Sequence, residues 1–282
     1  MKKLLLALAL VVAAFAGCVE ETPSADDLKM MMMDSVEKVK TSRSTMEMDQ
    51  TMTLVNETGS TTFDVVSRGE VFTNVTNRSV WMTMTTITSS EDMEENLTME
   101  METYLLGDTV YMKLGENWTV LTGIPREMWD RQDQLKNQME IINHSEAEVI
   151  KSAKIDGQDT YELKIVPDME TFSVILAEEM GSMPLYGINL TKLYEESEMD
   201  WTVWLSKETK LPLKSQMHMK LTLTPEMLGL PVEGAGFVKM IVDTEVTKLY
   251  YEYNQPMNIE LPEEARKAPP MPLFSGMMPP AR

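Results

Sequence analysis

The chain has 282 residues and a net charge of −20, from 45 acidic against 25 basic side chains, with 43% hydrophobic residues and one cysteine. So acidic a surface as a whole repels nucleic acid and anionic headgroups alike. The length is ample for a sizeable core in one large domain or two small ones, and a single cysteine excludes an internal disulfide framework.

Lys2 and Lys3 begin the chain, residues 4–16 are an unbroken apolar run, and Gly17 precedes Cys18. A basic start, a short apolar run and a small residue before the cut predict a secretory signal peptide over 1–17; the run is too short for an ordinary membrane-spanning helix. Phe15-Ala16-Gly17-Cys18 resembles a lipobox, with Phe15 where Leu is usual. The expectation is cleavage before Cys18 and lipidation of its thiol. A two-chain anchor then holds the protein on the extracytoplasmic face of the cell membrane, with 18–25 as a lipid-anchored linker.

Asp26 and Asp27 are expected to cap a helix carrying Leu28, Met31, Met32, Ser35, Val36 and Val39 at spacings of three and four. From Arg43 the period becomes two. Met46, Met48, Met52 and Leu54 alternate with Thr45, Glu47, Asp49, Thr51 and Thr53, which predicts a strand with one apolar and one wet face. Further strands are predicted over 63–72, 80–88, 97–105, 109–113 and 118–121, with turn chemistry between them: an antiparallel meander. Pro125 opens a second predicted helix that carries Met128, Leu135, Met139 and Ile142. Residues 148–155 and 161–166 read as a hairpin about Asp156-Gly157, and 169–180 and 185–196 as short helices.

The last third is the clearest sheet. Trp201, Val203 and Leu205 alternate with Thr202, Trp204 and Ser206. Leu211, Leu213, Met217, Met219, Leu221 and Leu223 then alternate with Lys214, Gln216, His218, Lys220 and Thr222, so the first set should face the interior and the second solvent. A loop over 225–236 and a long strand over 237–253 follow. The folded domain is read as 26–265, and 266–282 as a Pro-rich disordered tail.

Seven of the ten asparagines begin an Asn-x-Ser/Thr triplet: Asn56, Asn74, Asn77, Asn96, Asn117, Asn143 and Asn189. Chance would supply about 1.6, so the excess predicts an N-glycosylated exterior protein. Asn56, Asn74 and Asn96 fall in predicted hairpin turns and should be exposed. A lipobox together with abundant acceptors points to an archaeal cell surface.

Catalytic chemistry is hard to find. The only histidines are His144 and His218, the one thiol is committed to the anchor, and the chain has no Gly-rich phosphate loop, nucleophile elbow or metal-ligand spacing. No enzyme, cofactor or metal is expected; pairs such as Glu178-Glu179 and Glu195-Glu196 read as solvated faces. Methionine is unusually frequent, at 28 residues, with Met-x-Met pairs at Met46/Met48, Met82/Met84, Met99/Met101 and Met217/Met219. Thioethers ligate Cu(I), but thiolate and imidazole partners are missing and packing is the better account. A methionine-lined sheet would make an adaptable apolar cavity, for which Met46, Met48, Met217, Met219, Leu221 and Leu223 are the candidate lining.

Three stretches carry a family likeness: Asp108-Thr109-Val110-Tyr111-Met112 with Trp118 downstream; Trp204-Leu205-Ser206-Lys207-Glu208-Thr209-Lys210-Leu211-Pro212; and Tyr253-Asn254-Gln255-Pro256 before Ile259-Glu260-Leu261-Pro262. With the lipidated start, amphipathic helix and long meander, the chain resembles the LolA/LppX/LprG-type lipoprotein superfamily. The resemblance implies an α+β fold, a curved antiparallel unclosed β-barrel with helices covering its concave face, which in several members holds acyl chains. The family's lipoprotein-sorting role does not carry over, and the first function reading is binding, with or without transfer, of a lipid or other apolar small molecule. The alternative is a surface interaction or sensor protein whose sheet is filled by its own side chains, its protein partner unknown.

Overall fold

The structure, a computed structural model, describes residues 22–123, 134–168, 197–227, 230 and 236–270. Cys18, Asn189, Pro125, Met128 and the helices expected over 169–180 and 185–196 lie outside them.

Helix α1 (Ala25–Val36) starts at Ser24, whose Oγ accepts from the Asp27 amide at 3.1 Å. Ser24 is therefore the cap in place of the expected aspartates, which occupy the first turn and complement the helix dipole. Leu28, Met32 and Val36 form the buried stripe, whereas Met31 points away at 40% exposure. Helix α2 (Gln134–His144) buries Leu135, Met139, Ile141 and Ile142.

Among the described residues eleven strands build one sheet: β1 (Thr41–Val55), β2 (Ser60–Asn74), β3 (Ser79–Ser90), β4 (Leu97–Leu106), β5 (Thr109–Leu114), β6 (Asn117–Thr122), β7 (Glu146–Ile155), β8 (Gln158–Val166), β9 (Glu198–Ser206), β10 (Pro212–Leu223) and β11 (Lys239–Tyr251). Their order is β6-β5-β4-β3-β2-β1-β11-β10-β9-β8-β7, with every neighbouring pair antiparallel. The two meanders thus join where the first strand meets the last, and β6 and β7 remain as edges. The β7–β8 hairpin turns at Asp156 (φ 49°) and Gly157 (φ 83°), the paired left-handed residues that a two-residue turn needs.

Among the described residues the core that packs with the helices lies in one wing, while Tyr104, Leu105 and Ser67 are buried in the other. Leu163, Ile165, Trp201, Val203, Leu205, Leu221, Leu223, Val242 and Tyr250 pack with the apolar stripes of α1 and α2. Polar contacts fix α2 in place: Gln138 Nε2 donates to Ser215 Oγ at 3.0 Å, Trp201 Nε1 reaches the same oxygen at 2.8 Å, and the Tyr250 hydroxyl donates to Gln138 Oε1. After β11 the chain runs as a strap along one end of the other wing. A 3₁₀ turn, Ala265–Lys267, buries Ala265 completely, and Pro269 O accepts from the Val120 amide of edge strand β6 at 2.9 Å. The fold therefore continues to Pro270, past the boundary read at 265.

Candidate functional site

Directly paired residues of antiparallel strands project from the same face. One row follows the pairing across nine strands: Ala147, Ile165, Trp201, Met217, Val246, Met48, Ser67, Thr86 and Met99. It begins in the packed core, where Ile165 is 1% exposed, and ends in solvent at Met99, 52% exposed. The next row places Met46 beside Gly69, Met84 and Met101. A Cβ at Gly69 would stand 2.8 Å from Thr83 O, so only glycine fits, and its place in the row stays clear between two thioethers. A third row sets Val71, Met82, Thr103 and Met112 together.

All four Met-x-Met pairs therefore share one face. Of the candidate residues, Leu221 and Leu223 belong to the closed core, Met217 and Met219 are half-buried at its border, and Met46 and Met48 are half-buried further out on β1. Met112, Met199 and Met240 join the same face but stand as single alternating methionines, a weaker signal than a doublet. Three polar features interrupt the thioethers. Gln50 Nε2 donates to Thr244 Oγ1 at 3.0 Å, Ser67 and Thr86 share a hydroxyl bond of 2.9 Å, and Thr103 Oγ1 is buried without a partner.

His218 is exposed on the opposite face, with Nε2 2.8 Å from Asp243 Oδ1. His144 is exposed at the end of α2. Among the described residues no three His, Cys, Asp or Glu side chains gather as a metal site, and no helix is long and apolar enough to cross a membrane. Asn56, Asn77, Asn96, Asn117 and Asn143 are exposed. Asn74 corrects the expectation of an exposed turn residue. It is 6% exposed as the last residue of β2; its Oδ1 accepts from the Asn77 amide at 3.0 Å and its Nδ2 donates to Met257 O at 3.3 Å, which ties the strap to the sheet.

The sheet is antiparallel and unclosed, with α1 and α2 packed on one face. The chain is similar to lipoprotein LppX of Mycobacterium tuberculosis, at 11% identity over 84% of this chain and 98% of that one, with a TM-score of 0.40. It is similar to LprF of Mycobacterium bovis, at 12% identity over 84% and 96%, with a TM-score of 0.41. A LolA superfamily protein of Nitrosomonas europaea shares 8% identity over 86% and 97%, with a TM-score of 0.24. No curated protein matches the sequence. Residues 24–270 match the model of DUF6612, described as a family of unknown function, and the chain belongs to that family.

Proposed function

We propose that the protein is a lipid-anchored extracytoplasmic binder, without enzymatic activity, that holds a lipid or other apolar ligand against the methionine face that runs from β10 across β11 and β1 to β5. The observation that carries this reading is the nine-strand row from Ala147 to Met99, apolar except at the bonded pair Ser67 and Thr86, which starts in the packed core and reaches solvent at Met99 on the same face. Extending a core outward in this way gives an apolar chain a surface to lie on. Unbranched thioether side chains re-pack around ligands of varied shape better than branched ones, which fits a carrier that loads and releases its cargo. Cys18 supplies the anchor in this proposal, and the exposed acceptors Asn56, Asn96, Asn117 and Asn143 carry the glycans.

Native mass spectrometry of the protein from its own host is expected to show co-purifying lipid. Met219→Glu sets a charge in an apolar site, at a cost of about 3 kcal/mol or more to folding or to ligand affinity. Met219→Gln, uncharged and close in size, keeps the fold and lowers affinity for an apolar fluorescent probe, whereas His218→Ala on the outer face changes either by no more than about 0.5 kcal/mol. If no lipid is found and Met219→Gln binds the probe as the wild type does, the reading fails and a surface protein with a filled core takes its place.

A further inference from the structure

A cavity of about 700 Å³ opens at one end of the sheet, where three segments converge: the link from α1 to β1, the turn from β2 to β3, and the start of the strap. Its walls are tied to one another. The Val75 amide donates to Lys40 O at 2.8 Å, the Lys40 amide to Asn254 Oδ1 at 2.7 Å, and the Asn254 amide to Thr41 O at 2.9 Å. Buried Asn74 closes the ring through its bonds to Asn77 and Met257. These bonds hold the backbone in place before any ligand arrives.

The same bonds determine what remains for a ligand. Asn254 spends its side-chain oxygen on Lys40, so its side-chain N–H groups are left, whereas Asn74 engages its oxygen with Asn77 and one N–H with Met257. Lys38 and Lys40 line the cavity, are exposed, and form no ion pair with a described carboxylate. No acidic residue lines it, in a chain where acids outnumber bases 45 to 25. The site is rich in donors, carries two charges and is preorganised.

We propose that this groove binds a phosphate group, with Lys38 and Lys40 as its two counter-charges and the Asn254 side-chain Nδ2 as a neutral donor. Two ammoniums match a dianion, and their bonds to phosphate oxygens are charge-assisted. Screening over about 8 Å at physiological salt keeps the net negative charge of the molecule from cancelling the local field. The groove is separate from the methionine face and does not rest on the reading of that face.

Full-length protein carrying Cys18→Ser, so that no anchor holds it, is titrated with pyrophosphate while the Asn77 and Asn254 amide signals are followed by NMR. The expected result is a saturable, salt-sensitive shift whose Kd rises about tenfold or more in Lys38→Gln/Lys40→Gln, at an unchanged melting temperature. Vesicles distinguish the sources of phosphate. Lysine-dependent binding to phosphatidylglycerol but not to phosphatidylcholine assigns a lipid headgroup, and pyrophosphate binding without vesicle binding assigns a soluble phosphate compound. No saturable shift, or a double variant that binds like the wild type, overturns the proposal.

Discussion

Thr103, like fully buried Thr160, is poorly served by its surroundings. Its hydroxyl oxygen is buried with no partner, flanked across the ladders by Met82 and Met112. A buried hydroxyl without a hydrogen bond costs about 1–3 kcal/mol, and valine keeps the shape while removing the polar atom. Thr103→Val is therefore expected to raise stability by about 1 kcal/mol in urea unfolding; a loss of stability would mean that the hydroxyl is bonded in the folded protein. Asn74 is the opposite case, a side chain whose every group is used. In sequence the two look alike, each a polar residue in or beside a Thr-rich strand. Only their partners, one absent and one 183 positions away, separate them.

Helix α1 shows how far a single element can be read from its pattern. Spacing placed both Met31 and Met32 on the apolar side, yet Met32 is 1% exposed and Met31 40%. A helix turns 100° per residue, so adjacent residues cannot both face one narrow contact, and the stripe Leu28, Met32, Val36 takes the sheet side. Met32→Ala should cost about 2–5 kcal/mol, whereas Met31→Ala should stay within about 0.5 kcal/mol. Equal losses for both in chemical denaturation would mean that the helix is rotated. The strands were read to within two or three residues at their ends wherever apolar and polar residues alternate. β2 runs longer than expected because ladder bonds to β1 extend to Asn74 and Ser60, where the side-chain pattern no longer signals a strand.

At the scale of the whole molecule, the asymmetry between the wings shapes the functional reading: one wing is covered by α1 and α2, and the other presents its thioethers half-exposed. The proposed anchor belongs at this scale too. Cys18→Ser is expected to move the protein from the membrane pellet to the soluble fraction with its melting temperature unchanged; a variant that stays wholly in the pellet would sink the lipoprotein reading. By itself the sequence determined the alternating strands, the hairpin at Asp156-Gly157 and the outward aim of His218, because each depends on a period of two or on the φ preferences of two adjacent residues. The wing that receives the helices, the pairing of β1 with β11, the burial of Asn74 and the cavity between Lys40 and Asn254 were decided only by the tertiary structure. Each of these joins segments far apart in the chain, and a local pattern carries no information about which distant segment will satisfy a given backbone or side-chain group.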